Sequence, residues 1–179
     1  ELGDPKKYIS PDVCVDFTSF DLIELNNSVK VIGVRGMKPT DTYKVSISYF
    51  NGYKASGQLT VSGPDAIKKA KACAEIISSK LKNKGCKYKD MRIEYLGLNS
   101  CHQDIVDIPD TVNELVLRIS VLSDDRYSVE EFTKELSPLI TAGPPGITGF
   151  AEGRPRVREV VAFWPTLLDK DLIKTKVEI

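Results

Sequence analysis

The 179-residue chain has a single histidine, a single tryptophan and no excess of charge of either sign. One histidine leaves no second imidazole for a zinc site, and Cys14, Cys73, Cys86 and Cys101 show no CxxC or other regular spacing. No metal is therefore expected. Cys14 falls in a strand pattern and Cys73 in a helix pattern, where free cysteine acts as a small hydrophobe, so reduced thiols and a cytoplasmic location are the default. No apolar run approaches the roughly 18 residues that a membrane span needs. Lys plus Arg and Asp plus Glu both total 25, so the concentrated basic surface that nucleic acid requires is not favoured by composition. The densest basic run, Lys80 to Lys89, falls at a helix end, where lysines oppose the negative end of the dipole. Neither GxGxxG nor GxxxxGK[ST] is present.

What is present reads as an ordinary globular domain. Hydrophobic residues make up 41% and charged residues 28%, enough to bury a real core at this length. Residues 1–28 are expected to be mostly irregular, with one apolar run that would put Val13, Val15 and Phe17 on one face and Asp12, Cys14 and Asp16 on the other. Val29 to Arg35 reads as a strand. Tyr43, Val45, Ile47 and Tyr49 alternate with polar residues, as do Tyr53, Ala55, Gly57, Leu59 and Val61. A three-residue Phe50-Asn51-Gly52 loop would keep both apolar sets on one face, so a hairpin is expected with Gly52 left-handed.

Ile67, Ala70, Ala74, Ile77 and Leu81 repeat at helical spacing, with Pro64 at the first helical position, Asp65 complementing the dipole and Gly85 as the C-terminal cap. Met91 to Leu98 and Leu115 to Val121 read as strands. Ser128 and Glu131 form a capping box for a second helix carrying Val129, Phe132, Leu136 and Leu139, which Pro138 should disturb or end. Val157 to Trp164 reads as a last strand. Helices that follow hairpins imply an α+β fold, a two-layer sandwich with a mainly antiparallel or mixed sheet and two helices on one face. The expected organisation is an N-terminal segment 1–28 continuing from an upstream part, an α+β domain 29–165 and a loose tail 166–179. Glu1 in place of Met suggests a processed or excised piece. The expected partners are then the rest of a longer polypeptide or further copies of the chain.

Thr141 to Arg156, TAGPPGITGFAEGRPR, is the most unusual stretch. Four glycines and three prolines in sixteen residues argue against any helix or strand there. Long structureless connections inside a domain are commonly functional or disordered. One reading is a tight loop needing positive φ at several glycines. The other is an anion cradle built from Gly146, Gly149 and Gly153 with Arg154 and Arg156, the arginines alternating with Arg158 toward one side of the next strand. Asp12 and Asp16 form a second candidate pair, for acid/base or ligand contact, against the alternative of a solvated face. The helix start at Ser62-Gly63-Pro64-Asp65 reads as plain capping, because Asp65 would compete with an incoming anion. Cys101-His102-Gln103-Asp104 reads as a surface loop, with a catalytic dyad as its rival.

Several strings, taken in order, resemble one family. They are Pro5-Tyr8-Pro11-Asp12-Val13-Asp16-Phe17, Gly33-Arg35-Gly36, Tyr43-Lys44-Val45 and Tyr49-Gly52-Tyr53. Ser62-Gly63-Pro64-Asp65-Ala66, Gly143-Pro144-Pro145-Gly146-Thr148-Gly149 and Gly153-Arg154-Pro155 continue the match. The chain is similar, from about Pro5 to Pro165, to the acyclic terpene utilisation family of bacterial citronellol- and geraniol-degrading clusters. Family members are longer, so the chain looks like the second part of their main module. The resemblance carries over no catalytic residue and no cofactor. It implies an association with breakdown of acyclic terpenoid or branched acyl-CoA compounds, and an anionic CoA-type ligand would suit the Gly/Arg loop. Two classes of function follow: part of an enzyme acting on such intermediates, or a non-catalytic binding or assembly module.

Overall fold

The computed structural model describes residues 3–98, 100–102, 105, 107–149, 153–174 and 176. The chain forms two compact units, residues 1–49 with 163–179 and residues 50–162. Both divisions fall inside long strands, where the sequence reading set boundaries at 28 and 165.

In the first unit, β1 (Tyr8–Ile9), β2 (Cys14–Asp16) and β5 (Arg35–Met37) form a small antiparallel sheet in the order β1-β2-β5. Between them β3 (Asp21–Leu25) and β4 (Ser28–Ile32) make a separate hairpin closed by Asn26 and Asn27. The expected face of β2 is reversed. Cys14, assigned to the side of the aspartates, is the buried residue at 2% exposure, while Val13 and Val15 are half-buried. The C-terminal residues also depart from a loose tail. A strand runs to Asp169, and Lys170 of the following 3-10 turn donates from its backbone N–H to the Asp41 carbonyl, from Nζ to the Pro11 carbonyl, and lies over the Tyr43 ring.

The second unit is an antiparallel sheet under a helical layer. In chain order its elements are β6 (Thr42–Ser62, entering from the first unit), α1 (Ala66–Asn83), β7 (Asp90–Leu96), β8 (Glu114–Ser123), α2 (Arg126–Glu135), α3 (Ser137–Ala142), β9 (Ile147–Gly149) and β10 (Arg158–Asp169). The strand order is β10-β6-β8-β7, with β9 also on β6. Ten consecutive pairs, Tyr53↔Ser123 to Ser62↔Glu114, set the register of β6 on β8, and Asp90↔Leu122 to Leu96↔Val116 set β7 on β8. Side chains alternate along each strand. Ala55, Leu59, Val61, Leu115, Leu117, Ile119 and Val121 therefore share the face under the helices, where all are buried. Ala70, Ala74 and Ile77 of α1, Val129 and Phe132 of α2, and Leu139 of α3 close over them in one core cluster. This is the expected α+β sandwich with helices on one face.

The expected hairpin at Asn51-Gly52 does not form: β6 runs uninterrupted for 21 residues. An unbroken strand keeps odd positions on one face just as a three-residue loop does, so alternation alone cannot separate the two. Gly52 does have positive φ, +93°, but within the strand, where its backbone comes up against the end of β8. A Cβ built there would lie 2.5 Å from the Ser123 carbonyl oxygen. Glycine is required here by close approach, not by a turn.

Both helix starts differ from expectation. α1 begins at Ala66, after Pro64, and Asp65 caps only through its backbone, in the left-handed region; its carboxylate pairs with Lys68. The cap of α2 is Asp125, which accepts from the Tyr127 and Ser128 N–H groups and the Ser128 hydroxyl. Glu131, freed from a capping box, joins Glu135 in binding Lys84 at the end of α1, at 2.8 and 2.6 Å. Lys134 also pairs with Glu131, and Lys80 with Glu135. Packing outweighs this clamp. Truncating fully buried Phe132 to alanine would cost about 3–5 kcal/mol, whereas ion pairs whose lysines stay in solvent are screened and contribute far less.

Two expectations follow. Gly52→Ala adds a backbone clash to a left-handed φ and should lose about 1–3 kcal/mol in chemical denaturation; a variant as stable as the parent would refute the close approach to β8. The second concerns acid. Hydrogen bonds from Lys134 and Lys84 hold the Glu131 carboxyl below its ordinary range. Burial pushes Glu135 upward, but the Lys84 hydrogen bond and the Lys84 and Lys80 charges outweigh it, leaving it lowered. Their contribution is therefore complete above the unfolded glutamate value of about 4.3 and is lost as pH falls through the lower folded values. The melting temperature should stay nearly level from pH 7 to about 5 and drop below about pH 4, with Glu135→Gln showing a shallower drop. Equal slopes in the two proteins would mean the clamp is not what titrates.

Candidate functional site

The even-numbered positions of the same strands build the opposite face. Register places Lys54, Leu122 and Asp90 in one row, Ser56, Ser120 and Arg92 in the next, and Gln58, Arg118 and Glu94 in a third. Strand geometry spaces these rows about 7 Å apart and spreads three strands over about 10 Å. A polar outer face is normal for an antiparallel sheet with one face on its core, and by itself implies only solvation. Two observations distinguish this one.

First, residues 153–158 run along the edge of this face and lay three arginines on it. Gly153, Arg154, Pro155, Arg156, Arg158 and Val160 join the sheet residues in lining a cavity of about 990 Å³. Val157 packs against the core and Pro155 is half-buried beside Gly57 and Leu136, while Arg154, Arg156 and Arg158 are exposed and alternate with them. Gly57 is the anchor for this bend. A Cβ there would lie 2.7 Å from both Leu136 Cδ2 and Pro155 Cγ. Gly153 supplies a positive φ of +72° at the start of the bend.

Second, charge in the cavity is unbalanced although the chain is neutral. Six cationic side chains line it (Lys54, Arg92, Arg118, Arg154, Arg156, Arg158), against Asp90 and Glu94. Glu94 is already engaged. Arg118 donates to both its oxygens, from Nε at 2.7 Å and from a terminal nitrogen at 3.0 Å, and Arg92 lies 3.2 Å away. The Arg118 hydrogen bonds hold the Glu94 carboxyl below its ordinary range. Ser56 and Ser120 hydrogen-bond to each other at 2.8 Å in the middle row. Lys54, Arg154, Arg156 and Arg158 make no ion pair or side-chain hydrogen bond among the described residues. The arrangement suits an anion that spans the loop arginines and the sheet.

The candidate residues from the sequence are dispersed. Gly153, Arg154 and Arg156 line this cavity. Gly146 does not. Its carbonyl accepts from the Ser62 N–H and hydroxyl, and the preceding Pro145 carbonyl accepts from Lys69, tying the loop to the start of α1. Gly149 ends β9, which pairs with Leu59 to Val61 of β6. A strand thus exists inside the stretch expected to hold none, because the open edge of β6 supplies partners that override poor propensity. Asp12 and Asp16 belong to the first unit: Asp12 is exposed, and Asp16 accepts from the Thr18 N–H and hydroxyl in a local turn, which lowers its carboxyl. Cys101 and His102 are exposed, while Gln103 and Asp104 lie outside the described residues. None of the cavity-lining residues is a cysteine or histidine. Lys54, Ser56, Gln58, Arg92 and Arg118 were legible only as the polar half of each alternating strand; which strands lie side by side is a tertiary fact.

Among the described residues, no group of three or more His, Cys, Asp or Glu side chains is placed to hold a metal, and no helix is long and apolar enough to cross a membrane. The family model described as acyclic terpene utilisation family protein AtuA matches residues 1–179, the whole chain. No curated protein and no solved structure matches.

The bend over the groove is open to test without any ligand. Gly57→Ala should cost about 1–3 kcal/mol by overpacking Leu136 and Pro155. It should also speed native-state tryptic cleavage after Arg156 relative to the parent; unchanged cleavage would show that Gly57 does not seat the loop.

Proposed function

The chain belongs to the acyclic terpene utilisation family, and from that premise we propose that its groove binds an anionic small molecule from the breakdown of acyclic terpenoid or branched acyl compounds. The observation that carries this reading is the set of four cations, Lys54, Arg154, Arg156 and Arg158, gathered on one cavity without ion-pair partners among the described residues. Uncompensated like charges repel, and a bound anion relieves that repulsion while accepting charge-assisted hydrogen bonds. The phosphates of a branched acyl-CoA match this chemistry, with the hydroxyls of Ser56 and Ser120 and the amide of Gln58 available for further polar contact. Gly153, Arg154 and Arg156 are the sequence candidates retained; Gly146 and Gly149 act by holding the loop. Four free thiols suit a reducing, cytoplasmic setting.

A second reading, a binding or assembly module without chemistry of its own, is favoured by one observation. The groove offers serines and carboxylates but no histidine or cysteine, and its Glu94 is spent on Arg118. The two readings share the anion site and differ in whether turnover follows.

Calorimetric titration of the 179-residue chain with pyrophosphate and with a branched short-chain acyl-CoA tests the shared part. Saturable binding that weakens with salt is expected, and Arg154→Gln and Arg156→Gln should each weaken it about tenfold, the value of one charge-assisted hydrogen bond. Absence of binding by every probe at low salt would overturn the proposal.

A further inference from the structure

Among the described residues, β7 ends the sheet order and is hydrogen-bonded to β8 on one side only. Natural sheets usually blunt such an edge with proline, a bulge, charged side chains or a very short strand, because unpaired N–H and C=O groups template further pairing; of these β7 has only the charges of Asp90, Arg92 and Glu94, of both signs. The seven residues Asp90–Leu96 contain neither proline nor glycine and pair with β8 without a break in register. Ile93 lies in a core row beside Ile119, which has no exposed surface, yet Ile93 itself is 37% exposed. The core row is thus partly open to solvent at its outer end.

The order of residues on β7 selects the occupant. In two antiparallel β7 strands related by a two-fold axis through Ile93, Ile93 meets itself, Arg92 meets Glu94, and Met91 meets Tyr95. Facing residues share a face of the sheet. The two cross-strand Arg92–Glu94 pairs then lie on the polar side, each Glu94 being shared with Arg118 and Arg92 of its own chain, and Met91, Ile93 and Tyr95 extend the core rows under the helices. Centring the axis on Arg92 or on Glu94 would oppose like charges, and centring it between residues would set polar positions against apolar ones. Centring it on Met91 would also oppose Asp90 to Arg92 but would pair only three residues of the strand; the register about Ile93 pairs all seven with faces matched and Arg92 opposite Glu94, and it is self-complementary, as a closed two-fold interface requires.

We propose that β7 pairs with β7 of a second copy of this chain about Ile93, joining the two sheets into one. Arg92 and Glu94 also line the groove, so pairing brings Arg92 of the second copy beside the Glu94–Arg118 pair and makes the two grooves neighbours on a continuous polar face. The pairing does not depend on whether the groove takes an anion.

Sedimentation equilibrium of the 179-residue chain should give twice the chain mass. Arg92→Glu, which sets two carboxylates against each other at both ends of the pairing, should weaken the dimer at least tenfold while circular dichroism stays unchanged. Ile93→Cys should form, on mild oxidation, a covalent dimer whose disulfide maps by mass spectrometry to residue 93 of both chains, a readout that survives if Arg92→Glu fails to fold. A chain that remains a monomer at about 100 μM with no 93–93 crosslink overturns the proposal. So does a dimer that Arg92→Glu leaves equally tight, or an edge taken by another strand, seen as slow amide exchange across Arg92 to Glu94 in a monomer.

Discussion

The register of β6 on β8 governs both faces of the second unit. Because side chains alternate with a period of two, a slip of one residue would turn one strand over relative to the other, exposing Leu59 and Val61 and driving Lys54 and Gln58 under the helices, or exposing Leu117 and Ile119 and driving Arg118 under them. Burying those charges without partners would cost far more than the margin of about 5–15 kcal/mol by which folded domains are stable. The core and the candidate groove are therefore two consequences of one pairing. Gly52 permits the pairing to begin against Ser123, and Gly57 leaves the space into which Pro155 packs. Two glycines in one strand thus serve different ends, register for one and the arginine bend for the other.

The helical layer depends on the same pairing at one remove. Its apolar residues need the odd rows to pack against, and the Lys84 clamp to Glu131 and Glu135 then orders the end of α1 against α2. On the other face the strands supply fixed polar rows while the loop supplies exposed charge. Arg118 is held by Glu94, whereas Arg154, Arg156 and Arg158 have no such tether among the described residues. A floor already held by the Arg118–Glu94 pair needs no reorganisation to receive an anion, whereas the rim arginines would be ordered by it at some cost.

Much of this was readable in the sequence, and the failures have identifiable causes. The buried faces of α1, α2 and β8 follow from spacing, since amphipathic periodicity is a local property. Asn51-Gly52 carries the chemistry of a tight turn, yet the strand runs through it, because pairing with β8 from Tyr53 onward and with β10 on the other side outweighs local preference. Ile147 to Gly149 became a strand for the same reason, through a partner distant in sequence. Asp125 took the cap expected of Ser128, three residues earlier, and Glu131 went to Lys84, a contact no local rule anticipates. Arginine alternation in 154–158 was visible, but the sheet residues completing the groove came from three separate strands.

If the loop arginines and the fixed sheet face act on one anion, they must respond to it together. Side-chain NMR of the arginine Nε–Hε groups during titration with pyrophosphate tests it most directly. Saturable shifts are expected at Arg154, Arg156 and Arg158 with a smaller, concerted shift at Arg118, all fitting one dissociation constant. Shifts confined to arginines outside the groove, or separate constants for loop and sheet, would contradict it.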